Sequence, residues 1–468
     1  MSGQAHCALV FVTGVGQTWS TLARDPRHRW NLFPGDRAVL FSHYPAGGRR
    51  RLLNLTNDAA RYLRTGRLVS QIRIEQVAAD LLRHCIVGQD GSLPKQVDVR
   101  IYGARSFDVL GRTDFATGGE TDGDDTLLRR LLRDVPVGEF LEECGAENLY
   151  CFNYSPFTDL YASARALREM LLAVVEDQKE KTGADKVVLI PMSMGAAVVR
   201  AYMDLYYPAD GAVLPDLVRR IVSVVGAWDG SDAFANLLQW RPAADFPQQL
   251  CEEILPNTVR NKSLLHLLTR DPVRTTHLLR QAMDALLDMC LLHSSSFLAM
   301  VPLARWDTLY GKLFSADRFI HNPRFRTVQA QADRFIACGK HLRAQMERMQ
   351  SQYGTEFAFV GGCSLAYGEG SKDFSFLRLF GEDGADTDGV LPVSSTVPGV
   401  AAGEPTPDFS DAWFPQTSCL FQGRPHEIGC DPSAMRLILD LALGKTDSVP
   451  TNIVTDPIPA DEASAIHT

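Results

Sequence analysis

Short runs of apolar, often β-branched residues alternate along the chain with longer stretches whose apolar residues recur every three or four positions. The short runs predict buried strands, and the periodic stretches predict amphipathic helices. Helices are predicted over residues 163–179, 196–205 and 436–443. Strands are predicted over residues 8–13, 97–102, 148–154, 187–190, 221–225, 357–361 and 417–421. This alternation predicts an α/β fold in which helices wrap a mostly parallel sheet.

Two long stretches interrupt the alternation. Residues 42–147 hold a helical piece at 74–85 and an acidic loop at 120–125. Residues 230–352 are predicted to be nearly all helical, including a segment rich in Leu and Met at 276–292. A helical insertion between the last strands of a sheet is where lids lie in many lipolytic enzymes, so we predict a helical cap or lid over 230–352. The alternative is a helical subdomain that only packs its own core.

These interruptions divide the chain into four parts. Residues 1–229 are the first part of the α/β core and contain the insertion at 42–147. Residues 230–352 are the helical cap, and residues 353–445 complete the core. Residues 446–468 are rich in Pro, Asp, Thr and Ala and are predicted to form a mobile tail.

Composition narrows the class of protein. The 468 residues, 45% of them hydrophobic, suffice for two or three domain-sized units or for one large domain with insertions. A net charge of −9 lacks the basic field that nucleic-acid binding requires. No leader pattern or membrane-spanning run is found, and the ten cysteines show no zinc-ligand spacing. We therefore predict a cytoplasmic protein with reduced cysteines and without a bound metal.

Ser193 is the first candidate for chemistry. It follows the apolar run 187–190 and precedes small residues, Gly195 to Ala197, that open a predicted helix. A nucleophile elbow has this layout, because strand and helix nearly touch there and only small side chains fit beside the serine. The usual first glycine of the elbow pattern is Pro191 here. The alternative is a serine that merely caps the helix.

A serine nucleophile needs a histidine base and an orienting carboxylate. In α/β-hydrolases the acid and then the histidine follow the serine along the chain. Asp388 is the best acid because it follows the predicted strand 357–361 and precedes a turn at Gly389. His426 is the best histidine because it lies between the last predicted core strand and the closing helix. Asp229, which follows strand 221–225, is the rival acid.

Two further interpretations concern the loops. The acids Asp383 and Asp386 lie near Asp388, and a calcium site there is an alternative, although their spacing does not complete an EF-hand loop. The oxyanion hole should use the backbone N–H groups of Met194, which follows the serine, and of Val15 in the glycine loop after the first strand. Gly14 and Gly16 would allow a close backbone approach in that loop, which could also be an ordinary glycine turn.

In this order the motifs resemble the lipases of the α/β-hydrolase superfamily, and within it the lecithin:cholesterol acyltransferase and phospholipid:diacylglycerol acyltransferase group. The resemblance covers most of the core and implies an α/β-hydrolase fold. It implies a triad of Ser193, Asp388 and His426, with Val15 and Met194 as oxyanion donors. The segments that carry it are 10–16, 30–34, 97–103, 148–154, 191–195 and 388–390, together with His426.

The chain also departs from the pattern of that group. Thr13 and Met192 stand where the group has histidines before the glycine loop and before the serine. The run Asn153-Tyr154-Ser155 stands where an Asp-Trp-Arg run is common. These differences concern the substrate class more than the triad.

The resulting hypothesis is a serine esterase or lipase that cleaves carboxylic esters through an acyl-enzyme, without a cofactor. Its partner is a small-molecule or lipid ester, with transient contact to a membrane or micelle through the cap. Two alternatives remain open from the sequence. One is an acyltransferase that moves an acyl group from a phospholipid to an alcohol, and the other is a non-catalytic homologue that only binds lipid.

Overall fold

The structure is a computed structural model, and most of the chain can be described in it. The described residues are 7–30, 47–88, 90–99, 105–114, 120–123, 126–131, 138–208, 215–242, 245–258, 262–289, 291–314, 323–371, 374–382, 384–403, 406–428 and 431–455.

A sheet of eight strands forms the centre of the molecule, in the order β11-β10-β9-β8-β7-β1-β6-β5. All neighbours pair in parallel except the edge strand β5, which runs antiparallel to β6. The expected α/β architecture with a mostly parallel sheet is therefore confirmed. The strands are β1 Leu9–Val12, β2 Ser20–Leu22, β3 Asp25–Trp30, β4 Val97–Asp98, β5 Arg105–Ser106, β6 Leu149–Phe152, β7 Val187–Pro191, β8 Val218–Val224, β9 Glu356–Cys363, β10 Ser418–Gln422 and β11 Ile453–Val454.

The central strands are apolar on both faces because helices cover both sides of the sheet. In β1, Val10 and Val12 belong to one hydrophobic cluster, while Leu9 and Phe11 belong to the cluster on the other face. Strands buried on both faces are therefore continuous apolar runs rather than alternating ones, as in the sequence of β7.

Helices surround this sheet and build the insertions. Short π-helical turns at Leu250–Ile254 and Met349–Tyr353 extend two of them. The α-helices are α1 Gly48–Thr65, α2 Gln71–Leu82, α3 Phe107–Gly111, α4 Leu127–Leu131, α5 Gly138–Cys144, α6 Leu160–Lys181, α7 Gly195–Tyr206, α8 Asp232–Leu238, α9 Phe246–Gln249, α10 Leu255–Thr258, α11 Lys262–Thr269, α12 Pro272–Met289, α13 Ser295–Leu298, α14 Leu303–Phe314, α15 Pro323–Gly339, α16 Leu342–Arg348, α17 Val393–Thr396 and α18 Pro432–Leu443.

Residues 97–102 were expected to contribute a strand to the main sheet, and this prediction is wrong for the described part. Val97–Asp98 pairs with β2, which also pairs with β3, and these three strands form a separate antiparallel sheet. The alternating pattern of this segment fits a strand with one solvated face, which is typical of a small antiparallel sheet. Residues 100–102 lie outside the described part.

The two insertions pack against each other. Helices α1 and α2 of the first insertion contact α11 and α12 of the second. Their contact forms a hydrophobic cluster of its own, in which Tyr62, Leu63 and Ile74 meet Ala285. The helical region above the sheet is thus built from two segments that are about 200 residues apart in sequence.

The last described residues add a strand to the sheet. Ile453–Val454 pairs in parallel with β10 and forms the outermost strand, and Asn452 donates side-chain hydrogen bonds to Pro415 and Ser418. The segment predicted as a mobile tail from 446 thus includes a strand of the sheet, and residues 456–468 lie outside the described part. Among the described helices, none is both long and apolar enough to cross a membrane.

Candidate active site

Ser193 occupies the sharp turn between β7 and α7, and its backbone has φ +50°. A left-handed conformation in a non-glycine residue stores strain of about 1–3 kcal/mol, and such strain clusters at functional positions. Gly195 explains the small residue two positions later: a Cβ there would lie 2.2 Å from the carbonyl oxygen of Val12. The elbow therefore requires glycine because α7 starts directly against β1.

The glycine loop after β1 lies against this turn. A Cβ on Gly14 would lie 2.7 Å from the Cβ of Ser193 and 3.0 Å from the carbonyl oxygen of Met192. Gln17 closes the loop, since its side-chain oxygen accepts from the Gly14 N–H at 3.0 Å and its own N–H donates to the Gly14 carbonyl. Gly14 thus permits the loop to approach the serine.

His426 and Asp388 complete a hydrogen-bonded chain with Ser193. The Nε2 of His426 lies 2.9 Å from Ser193 Oγ, and its Nδ1 lies 2.8 Å from Asp388 Oδ2. Both distances are within hydrogen-bonding range, as a general base and its orienting carboxylate require. The carboxylate is fully buried, and its Oδ1 accepts from the N–H groups of Val390 and Leu391 at 3.0 and 2.8 Å.

Two features bring the loops of Asp388 and His426 together. Gly362 in β9 leaves room for both: a Cβ there would lie 2.1 Å from the Arg424 carbonyl oxygen and 3.0 Å from the Cβ of Asp388. Arg424 in turn forms a largely buried ion pair with Asp431 at 2.7 Å, which ties the histidine loop to the start of α18. The histidine loop therefore packs against β9 at Gly362 and is joined to the start of α18 by this ion pair.

The electrostatics of His426 favour its charged form. Burial by itself lowers the pKa of this imidazole, but the charge and hydrogen bond of Asp388 outweigh it, with a smaller contribution from Glu427, so the pKa lies above the ordinary 6.5. The hydrogen bond at Nδ1 assigns the proton there and leaves Nε2 as the acceptor that faces Ser193. This is the tautomer a general base needs.

Val15 and Met194 lie beside Ser193 along one cavity. Their backbone N–H groups make no hydrogen bond to any residue of the described part, whereas the Val15 carbonyl accepts from Thr18 Oγ1 at 3.0 Å. An oxyanion hole requires two backbone N–H groups beside the serine that are free to donate to the substrate.

The cavity that opens at Ser193 has a volume of about 560 Å³ and is almost entirely apolar. Its polar lining residues are Ser193, Ser231 and Thr275. Its other apolar lining residues come from the insertion at 230–352 and from the loop after β9: Phe234, Leu237, Trp240, Phe246, Leu250, Leu255, Leu268, Leu278, Leu279, Ala282, Met283, Leu286, Phe297, Met300, Phe374, Phe376, Leu377, Leu379, Phe380, Val390 and Leu391. A site of this kind accepts a hydrocarbon chain and little that is polar.

The rival acids lie elsewhere. Asp229 accepts from the Leu303 N–H at 2.9 Å, where burial raises the pKa of its carboxyl group, and it makes no contact with His426. Asp386 accepts from the Ser364 N–H at 2.7 Å, and Asp383 lies outside the described residues. Within the described part of the chain, no cluster of His, Cys, Asp or Glu could hold a metal ion, so the calcium alternative has no support there.

Phe374 was not singled out in the sequence, and Asn153 was noted there only as part of a run that departs from the family pattern. Phe374 stands edge-on to the His426 ring with centroids 6.3 Å apart and also lines the cavity. Asn153 is buried and brackets the end of the glycine loop, exchanging hydrogen bonds with the backbone of Trp19 at 2.8 and 2.9 Å. The alternating apolar run 374–377 and a lone polar residue directly after β6 were the available signals.

Comparison of the chain with protein-family models found no match, and comparison with curated protein sequences also found none.

Proposed function

We propose that the protein is a serine hydrolase that cleaves carboxylic esters with a long apolar acyl group. The observation that carries the proposal is the continuous chain of hydrogen bonds from Ser193 Oγ through His426 to the buried Asp388. A hydroxyl, an imidazole and a carboxylate in this sequence of contacts form the minimal machinery for acyl transfer through serine.

The reaction follows from these positions. Ser193 Oγ forms a bond to the ester carbonyl carbon while His426 Nε2 takes the hydroxyl proton, and the N–H groups of Val15 and Met194 bind the oxyanion. The intermediate collapses as the C–O bond to the alcohol breaks, and His426 returns the proton to the leaving oxygen. Water then attacks the acyl-enzyme, again giving its proton to His426, and the carboxylic acid leaves as Ser193 regains a proton. Asp388 keeps the ring oriented and stabilises its positive charge.

The order of the elements supports an α/β-hydrolase fold and, with it, the resemblance to the lipase and acyltransferase group. The serine follows β7 near the middle of the sheet, the aspartate follows β9 and the histidine follows β10. All three therefore lie at the carboxyl edge of parallel strands, where α/β sheets bind their ligands.

The cap supports a lipid-like substrate. Leu268, Leu279 and Leu286 from α11 and α12 line the same cavity as Ser193. A lining in which almost every side chain is apolar stabilises a buried hydrocarbon by about 0.8 kcal/mol per CH₂ group. Selectivity for long acyl chains over acetate is the expected consequence.

An exposed apolar surface formed by Leu68 and Ile72 of the first insertion and Val273 of the second, the cap surface, supports contact with a micelle or membrane. Leu68, Ile72 and Val273 are 71%, 66% and 73% exposed. Arg274, next to Val273, donates to the Leu63 carbonyl at 3.2 Å, which brings Val273 close to the segment that carries Leu68 and Ile72. Residues 47–83 contain eight arginines and three acidic residues, although the whole chain is acidic. An apolar patch with a basic surround fits an anionic lipid surface.

The test of the function is a panel of p-nitrophenyl esters from acetate to palmitate, assayed with the wild type, Ser193→Ala and the exposed control Ser351→Ala. We expect turnover that rises from acetate to an optimum at a longer acyl chain, its loss by at least about 10³-fold in Ser193→Ala, and little change in the control. Equal turnover by Ser193→Ala would reject the proposal. Adding glycerol or lysophospholipid and measuring free acid against new ester distinguishes hydrolysis, which we expect, from acyl transfer.

The cap surface is tested on the inactive Ser193→Ala background. Co-sedimentation should show binding to vesicles of phosphatidylglycerol and phosphatidylcholine, weakened about tenfold or more by the added pair Leu68→Asp and Ile72→Asp. The control is Leu172→Asp, which makes the same replacement of an exposed leucine by aspartate at a 45% exposed position on α6. Binding that ignores the cap pair, or that is as strong to pure phosphatidylcholine at high salt, would contradict an anionic docking surface.

A further inference from the structure

Trp240 stands in a backbone position that normally belongs to glycine. It directly follows α8 and its C-cap Gln239, and its φ is +50°. The Trp240 N–H donates to the Leu237 carbonyl at 3.0 Å and the Arg241 N–H donates to the Asn236 carbonyl at 2.8 Å. These bonds form a Schellman motif, whose left-handed residue is usually glycine because a Cβ is strained there.

A large aromatic residue in this position is held by its surroundings. The indole ring packs edge-on against Phe246 and Phe380 with centroid distances of 5.5 and 5.7 Å, and those two rings pack edge-on against each other at 5.8 Å. Asn236, in the last turn of α8, donates from its side chain to the Phe380 carbonyl at 3.0 Å. The strained turn is therefore fixed relative to the aromatic cluster.

This aromatic cluster belongs to the wall of the cavity at Ser193, since Trp240, Phe246 and Phe380 all line it. Phe246 and Phe380 are buried, whereas Trp240 is only partly buried. Trp240 thus combines partial exposure with contact to the cavity, as a residue at the rim of a cavity does. A glycine would satisfy the turn with less strain but would leave the wall open.

We infer that Trp240 is a specificity-determining residue that closes the acyl cavity and limits the length of the chain it accepts. The inference rests on the proposed ester hydrolysis for its consequence in turnover, but the closure itself also governs binding of a free fatty acid. If Trp240 only ended the helix, glycine would suit the position better, because glycine adopts the left-handed conformation without strain.

The first experiment compares acyl-length profiles of the wild type, Trp240→Gly and Trp240→Phe. Trp240→Gly suits the backbone, so we expect a cooperative thermal transition to be retained. For the first ester whose acyl chain is too long for the wild type, kcat/KM should rise about tenfold in Trp240→Gly and less in Trp240→Phe. The values for short esters should stay nearly unchanged. Trp413→Phe, at a tryptophan in a different cavity, is the matched control and should keep the wild-type profile.

The second experiment separates this inference from the proposed function. Calorimetric titration of fatty acids from C8 to C18 into Ser193→Ala should show an affinity maximum that moves to longer chains when Trp240→Gly is added. Brominated fatty acid should quench wild-type tryptophan fluorescence more than that of Trp240→Phe. An unchanged binding maximum and equal quenching would overturn the inference. If the binding maximum and the quenching change as expected but no variant hydrolyses an ester, the proposed hydrolysis is rejected while the role of Trp240 in binding stands.

Discussion

Replacing Asp388 by asparagine isolates the electrostatic part of the proposed machinery. The side chain keeps its shape, and its carbonyl oxygen can still accept from the Val390 and Leu391 N–H groups that now bond Oδ1 at 3.0 and 2.8 Å. The amide nitrogen, however, then faces His426 Nδ1 and cannot accept the proton that Oδ2 accepts across 2.8 Å. The imidazole is driven to the wrong tautomer, with its proton on Nε2 toward Ser193.

The expected loss in kcat is about 10⁴-fold, equivalent to about 5.5 kcal/mol of transition-state stabilisation. The pH profile should move as well. In the wild type the base fails as pH falls through the raised pKa of His426, so the acidic limb should lie above pH 6.5. Without the Asp388 charge, burial lowers the pKa of His426, so the limb of the residual activity should move to lower pH.

The assay is ester turnover between pH 5 and pH 9, with Asp386→Asn and Asp229→Asn as matched controls. Both controls preserve a side-chain oxygen that can accept the bonds now made by the Ser364 and Leu303 N–H groups. We expect kcat within a few-fold of the wild type for each. A loss of less than tenfold in Asp388→Asn, or an equal loss in Asp229→Asn, would refute the assignment of the triad acid.

Three further changes test other parts of the site. Gly14→Ala places a Cβ 2.7 Å from the Cβ of Ser193, so kcat should fall about 10²–10³-fold as the Val15 donor moves, which steady-state kinetics measures. Leu286→Asp puts a charge into the cavity and should lower turnover of palmitoyl esters at least about tenfold more than that of acetate; equal losses would mean that the cap is structural only. Arg324→Met leaves the buried Asp159 unpaired and should cost about 3–5 kcal/mol in urea unfolding, against less than about 1 kcal/mol for the exposed Arg343→Met.

Local pattern accounts for the parts of the site that the sequence revealed. An apolar strand, a serine and a glycine two residues later are constrained by a single turn, so Ser193 and Gly195 could be recognised without tertiary information. Asp388 and His426 could be placed because each follows a strand whose carboxyl end meets the same edge of the sheet. The sequence favoured Asp388 over Asp229, but both follow strands of that sheet, and it is their contacts in the structure that distinguish them.

Long-range packing explains what the sequence did not show. Ile453–Val454, which pairs with β10, is a short segment that carries little strand signal of its own. The strand predicted at 97–102 pairs with β2 of a separate sheet, and local pattern does not specify which partner a strand takes. The cluster in which Tyr62 meets Ala285 joins two insertions that are separate in the chain. Trp240 gave no signal either, because its left-handed backbone contradicts the preference of its residue type and is fixed by aromatic contacts from other segments.

Labelling by a fluorophosphonate probe shows whether Ser193 is the covalent nucleophile. The probe should form one adduct per chain, peptide mapping should place that adduct on Ser193, and Asp388→Asn should label far more slowly than the wild type. Folded protein that takes up no probe, or that carries the adduct on another residue such as Ser231, would contradict the assignment of Ser193 as the nucleophile.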